Sequence, residues 1–155
     1  MKRKTVCVDL DGVLAEYNGW KGIDHIGNPL PGAKEFLTEL IKHADVAIFT
    51  TRTNSHVNKE DAKVLVDRIQ LWLLANELPY TRVVGGAEGK PLADAYIDDR
   101  AVACRPQEDS TAFQKALDQA IKLVGTSTTK NPHQDIHQTT SQSFQRDRQL
   151  PDGNA

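Results

Sequence analysis

Four short apolar runs limit what this chain can fold into. Thr5-Val6-Cys7-Val8, Val46-Ala47-Ile48-Phe49, Thr81-Arg82-Val83-Val84 and Ala95-Tyr96-Ile97 are too short for helices and rich in β-branched or aromatic residues, so each reads as a buried strand. Helical periodicity fills the gaps between them. Pro31-Gly32 opens a helix whose Ala33, Phe36, Leu37, Leu40 and Ile41 recur at spacings of three and four. After the second run, the polar turn Thr53-Asn54-Ser55 leads into a long helix ending near Asn76. Asn58 is placed to cap that helix, and Ala62, Leu65, Ile69, Trp72 and Leu73 form its buried stripe. Ala101-Val102-Ala103 is a candidate fifth strand. Ser110 is placed to cap a last helix with Phe113, Ala116, Leu117, Ala120, Ile121 and Val124 on one face. This alternation predicts an α/β fold with a parallel sheet, helices on both faces, and every strand's carboxyl end on one edge.

Open α/β sheets bind ligands along that edge, and the residues that fall on it carry chemistry. The first strand ends on Asp9-Leu10-Asp11-Gly12, the second on Thr50-Thr51-Arg52 and the fourth on Asp98-Asp99-Arg100, while the loop after the third delivers Lys90. A carboxylate at the end of a buried strand is costly unless a cation or hydrogen-bond donors meet it. Neighbouring carboxylates cannot all ionise without such compensation. A hard divalent cation resolves the conflict, and carboxylate with carbonyl oxygen is the donor set that Mg2+ selects. Lys90 adds a second positive charge and Thr50 a hydroxyl. Together these groups suit the spread oxygen charge of a transferring phosphoryl group, and an aspartate among them can attack phosphorus to form an acyl-phosphate. Arg52 either contacts substrate or pairs with a nearby carboxylate.

Asp9-x-Asp11-Gly12-Val13, a hydrophobic strand ending in Thr50, Lys90 before Pro91, and Ile97-Asp98-Asp99 resemble, in that order, the four motifs of the haloacid dehalogenase (HAD) superfamily. Each motif alone is weak; all four in order, each at a strand end or in the loop after it, are specific. The resemblance implies a Rossmann-like three-layer sandwich with a mainly parallel five-stranded sheet and no large cap domain. It implies that Asp9 is the nucleophile, and that Asp11 protonates the leaving oxygen and then activates water. Lys90 would hold the nucleophile and phosphoryl charge. Thr50, with Thr51 and Arg52 beside it, would bind the phosphoryl group. Asp98, with the Asp9 carboxylate and the Asp11 main-chain carbonyl, would bind Mg2+, and Asp99 would be an outer or alternative ligand. An aspartate two residues after the nucleophile implies a phosphatase or phosphomutase, since family dehalogenases lack a carboxylate there. The expected activity is a Mg2+-dependent phosphomonoester hydrolase acting on a small phosphorylated metabolite or nucleotide. A capless member has an open site, or one that a neighbouring subunit of a homo-oligomer covers.

Length and composition bound this reading. The chain has 155 residues, enough for one domain with a real core, taken as residues 1–124. Residues 125–155 are poor in large apolar side chains and are expected to form a polar, disordered tail, with His133 and His137 in a solvated setting. The net charge of −2 offers no basic footprint for nucleic acid. Cys7 and Cys104 cannot build a disulfide framework. The apolar run behind the basic start breaks at Asp9, short of the roughly 7–15 residues of a signal peptide, and no run approaches the ~20 residues of a membrane span. A soluble cytoplasmic protein is expected. The glycine-rich stretch Tyr17 to Pro29 reads as a compact loop or small hairpin and is the one internal lid candidate; Tyr17, Trp20 and His25 are candidates to stack on or hydrogen-bond a leaving group, the alternative being Trp20 folded back as a small local core. Two other classes compete. A receiver-like phospho-acceptor domain would carry its acceptor aspartate after the third strand, where this chain has Gly85-Gly86. A metal-dependent nucleotide-sugar transferase would leave Lys90 and Asp98 unexplained.

Overall fold

The computed structural model describes residues 3–125; the polar tail read from the sequence lies outside the described residues from position 126 onward. The chain divides into two compact units, Met1–Ala101 and Val102–Ala155. In the first, strands β1 (Thr5–Val8), β2 (Asp45–Ile48), β3 (Arg82–Val83) and β4 (Ala95–Ile97) form one parallel sheet in the order β3-β2-β1-β4. The sheet therefore has four strands rather than five. Ala101-Val102-Ala103 takes no regular structure: only one residue of that run is β-branched, and the Asp98 carboxylate turns the chain just ahead of it by accepting the Arg100 N–H at 2.7 Å.

Register decides which side chains meet. Val6 stands beside Val46, and Val8 stands between Ile48 and Ile97, with Val83 next to Ile48, so these residues share one face. Helices α1 (Ala33–His43) and α3 (Ala62–Ala75) both cover that face, where Leu37, Ile69 and Leu73 join Val8, Val46 and Ile48 in the main core. The expectation of helices on both faces is not met within this unit. β1 to β2 to β3 steps in one direction across the sheet, so right-handed crossovers place both helices on the same side. The return from β3 past β1 to β4 contains only a turn of 3-10 helix, Gly86–Glu88. The other face carries the smaller cluster Cys7, Ala47 and Val84. Burial there pushes the Cys7 thiol pKa up, in keeping with an unreactive core cysteine.

The long helix read from Asn58 begins later. Asn54 caps a short helix α2 (Ser55–Asn58), its Oδ1 accepting the N–H groups of His56 and Val57. Lys59 then adopts φ 53°, in the left-handed region, and breaks the run. Asp61 caps α3 by accepting the Lys63 N–H at 2.8 Å. In the second unit, α4 (Ala112–Gly125) follows a turn in which Asp109 accepts the Thr111 N–H at 2.9 Å. Its Phe113, Leu117, Ile121 and Val124 are exposed. No helix among the described residues is long and apolar enough to cross a membrane.

Two truncations check the core assignment by urea denaturation. Ile69→Ala, which opens a cavity in the main core, is expected to cost about 2–5 kcal/mol. Leu71→Ala, on the exposed side of the same helix, should stay within about 0.5 kcal/mol. Equal losses at the two positions would overturn the packing described.

Candidate functional site

The strand order creates a switch point. From β1 the chain moves toward β2 and β3, while β4 arrives on the opposite side of β1. Crevices outside the carboxyl ends of strands at such points are where α/β sheets bind ligands. Asp9 follows β1 and ties it to β4 by donating its N–H to the Ile97 carbonyl at 2.9 Å. Asp98 and Asp99 follow β4 directly. One carboxylate oxygen from each of Asp9, Asp98 and Asp99 lies within 4.8 Å of the others.

The cluster is electrostatically strained. Burial, opposed by the Leu10 N–H and reinforced by the negative charges of Asp98, Asp11 and Asp99, pushes the Asp9 carboxyl up to about 6. All-oxygen donors on two adjacent strand ends, with one member half-buried among like charges, fit a hard divalent cation of the Mg2+ class. Gly12 sits over this cluster at φ 82°, and a Cβ there would stand 2.6 Å from Asp99 Oδ2. Glycine suits the left-handed backbone, and the end of the exposed Asp99 side chain fills the space where a Cβ would stand.

Asp11 has a different fate. Arg52 grips it through both oxygens, Nε to Oδ2 at 2.6 Å and Nη2 to Oδ1 at 2.9 Å, with the two side chains only 5% and 14% exposed. Two parallel charge-assisted bonds of this kind hold a carboxylate plane in a single orientation. Of the two roles open to Arg52 from sequence, the structure shows the ion pair. The Arg52 guanidinium also lies 5.0 Å from the Trp20 ring centroid, so Trp20 folds back on this pair. The Asp11 side chain lies outside the three-carboxylate cluster; the metal role expected for its main-chain carbonyl does not involve that side chain.

Thr50 is buried at the end of β2, and its Oγ1 accepts the Arg52 N–H at 3.3 Å, opening the 3-10 turn Thr51–Thr53. Accepting that bond leaves its own hydroxyl proton to donate. Thr51 is exposed. Lys90 is not brought to the carboxylates as expected: it makes no ion pair with them, and its Nζ stands 4.5 Å from the Tyr96 ring centroid. The Tyr96 hydroxyl donates to the Pro91 carbonyl, folding this stretch against β4.

Several supporting residues escape a reading of local sequence. The Asn58 amide donates to the carbonyls of Arg52 and Asn54 at 2.9 and 3.1 Å, stapling the turn that carries Arg52. Thr53 donates to the Thr50 carbonyl at 3.0 Å. Gly86 passes so close to Thr53 that a Cβ would lie 2.1 Å from its carbonyl oxygen. Arg100 stacks its guanidinium 5.7 Å from the Tyr17 ring centroid. Only the abundance of short polar residues after Thr50 hinted at this scaffolding.

No family model matches the chain, and no curated protein matches it. Among solved structures, the chain is similar to the crystal structure of an MCSG target from Vibrio cholerae. The identity is 27%, the match covers 75% of this chain and 98% of that one, and the TM-score is 0.44.

Two stability measurements probe this geometry. A carboxyl whose folded pKa of about 6 lies above the usual ~3.9 of an unfolded aspartate favours the fold when protonated. Its contribution therefore falls as pH rises from about 4 to about 6. In EDTA, Asp9→Asn should match the wild-type melting temperature near pH 4 and exceed it by a few degrees above pH 7, with Mg2+ narrowing the gap by stabilising the wild type; a gap independent of pH would contradict the assignment. Arg52→Ala strands a largely buried carboxylate and should cost about 3 kcal/mol. The double variant Arg52→Ala/Asp11→Ala should recover part of that loss in a double-mutant cycle.

Proposed function

We propose that this chain is a Mg2+-dependent phosphomonoester hydrolase of the HAD type, with a Rossmann-like core and Asp9 as the nucleophile. The observation that carries the reading is the gathering of Asp9, Asp98 and Asp99 at the switch point, with Asp11 two residues beyond Asp9 and held apart from them by Arg52. Two carboxylates in opposite environments suit two roles in one reaction.

A bound Mg2+ would be held by Asp9, Asp98 and Asp99, and would supply positive charge to the phosphoryl oxygens. The Asp9 carboxylate attacks phosphorus, forming an acyl-phosphate as the bond to the leaving alkoxide breaks. Asp11 delivers a proton to that oxygen, then takes one from the water that attacks the aspartyl-phosphate, which releases inorganic phosphate and restores Asp9. The fork from Arg52 fixes the plane of the Asp11 carboxyl; proton transfer requires one Asp11 oxygen to turn from the fork toward the leaving group. The free hydroxyl proton of Thr50 is available to a phosphoryl oxygen. Lys90 serves the phosphoryl group only if it leaves the Tyr96 ring. A receiver-like alternative finds no acceptor carboxylate after β3, where Val84 leads into Gly85-Gly86.

Hydrolysis of p-nitrophenyl phosphate, with Mg2+ and with EDTA, tests the reading directly. The wild type should turn over only with the metal, and Asp9→Asn should lose activity by at least about 10²-fold. Asp11→Asn has a more particular expectation. The good p-nitrophenolate leaving group needs no proton, but hydrolysis of the intermediate needs a base. This variant should therefore release a burst equal to the enzyme present and then slow down. Wild-type turnover by Asp9→Asn would sink the nucleophile assignment, and steady release without a burst would count against the Asp11 role.

A further inference from the structure

The loop between β1 and α1 folds around a partly open chamber. Its neck closes where the Glu16 N–H donates to the Asn28 carbonyl at 2.8 Å and Ala15 bridges Pro29. Gly27 is pressed against this neck, and a Cβ there would lie 2.1 Å from the Glu16 carbonyl oxygen. Helix α3 anchors the far side: Trp72 Nε1 donates to the Gly27 carbonyl at 3.0 Å, and Arg68 pairs with Asp24 at 2.8 Å. Arg52 Nη1 points to the Gly22 carbonyl at 3.4 Å. The loop frames a partly open pocket of about 250 Å3, whose wall includes Glu16, Tyr17, Lys21, His25, Asn28 and Arg52; of these, Glu16, Lys21, His25 and Asn28 are exposed to solvent. Arg52 is the residue that grips Asp11, and Tyr17 carries the guanidinium of Arg100, next to Asp99. The chamber is thus wired to both acid-bearing turns.

We infer that this chamber receives the alcohol portion of the substrate and that this portion is a small polyhydroxylated molecule, a sugar or polyol. The inference rests on the hydrolase reading above and narrows its substrate. Size is the first support: about 250 Å3 lies below the roughly 300–1,000 Å3 of pockets that take drug-sized ligands. Chemistry is the second. The wall mixes a carboxylate acceptor, an ammonium donor, an amide, a phenol and an imidazole, and a hydroxyl group both donates and accepts. Lys21 and the His25 ring have no hydrogen-bond or ion-pair partner among the described residues, so each is open to a ligand. Glu16 on the same wall disfavours a second phosphate. The aromatic rings supply the third support. Trp20 lies outside the wall with Arg52 on its face, and Tyr17 carries Arg100. The chamber therefore lacks a pair of free rings to sandwich a nucleobase of the kind that base-binding sites employ.

The test compares kcat/KM of the full chain with Mg2+ on glycerol phosphate, pentose and hexose phosphates, nucleoside monophosphates, a phosphoserine peptide and p-nitrophenyl phosphate. At least one polyol or sugar phosphate should exceed the nucleotides, the peptide and p-nitrophenyl phosphate by about tenfold or more. Lys21→Ala and His25→Ala should each lower the ratio of the preferred substrate to p-nitrophenyl phosphate by about tenfold, chiefly through KM, because a lost hydrogen bond to the alcohol portion weakens binding. Turnover of p-nitrophenyl phosphate without that preference, or with nucleotides or peptide preferred, overturns the inference and leaves the hydrolase reading standing. A polyol preference untouched by both variants also overturns it, since the chamber would not be the subsite. No turnover of any phosphoester overturns the hydrolase reading, and the inference with it.

Discussion

The bidentate pair between Arg52 and Asp11 joins three parts of the chain that no local interaction would bring together. Asp11 belongs to the turn after β1, Arg52 to the turn after β2, and the same guanidinium reaches Trp20 and the Gly22 carbonyl in the intervening loop. A fork of this geometry is worth little on a wet surface. Here Arg52 is buried, and removing either partner would leave a charge without compensation. The pair therefore fixes the spacing between the two turns and holds the loop over them. Asn58 and Thr53 keep the Arg52 turn rigid by taking up its carbonyls. The precision of the edge rests on this polar scaffold, and the apolar core beneath sets only the strands' positions.

The fold was legible where local pattern and tertiary demand agree. Thr5–Val8 and Ala95–Ile97 are strands over the residues read from the sequence, and β2 is displaced by a single residue. The stripe Leu65, Ile69 and Leu73 is buried as its spacing requires. Agreement fails where short polar residues offer several local solutions. Asn54, Asn58 and Asp61 are all competent caps; Asn54 and Asp61 cap the two helices, and Asn58 turns its amide to carbonyls of the preceding turn. The candidate fifth strand had a single β-branched residue to support it, and the turn at Asp98 intervened.

The site divided in the same way. Alternation alone places Asp9, Asp98 and Asp99 on one edge, because the order of parallel strands follows from topology. The fate of a long, flexible cation does not. Arg52 meets Asp11, the Trp20 ring and the Gly22 carbonyl, and Lys90 meets the Tyr96 ring; for Arg52 the outcome depends on contacts between distant segments. Trp20, thirty-two positions before Arg52 in the sequence, carries no local sign of the stacking it makes. Gly12 shows the reverse case. A glycine after two acids reads as a turn, and its left-handed φ of 82° is what that reading calls for; the Asp99 carboxylate beside it comes from the far end of the chain's first unit.

Two aspartates one residue apart on the same turn have thus been given opposite surroundings. Asp9 stands half-buried among like charges, which raise its affinity for a proton and equally for a divalent cation. Asp11 has its charge answered by a guanidinium and is held out of that cluster. Asp9 still belongs to the β1–β4 ladder through its N–H, whereas Asp11 lies beyond the tight turn at Leu10, whose carbonyl accepts the N–H groups of both Leu14 and Ala15. That turn converts a separation of one residue into a separation of electrostatic surroundings. Cluster and fork thus separate the two carboxylates within three residues, on a turn whose left-handed Gly12 lies beside the Asp99 carboxylate.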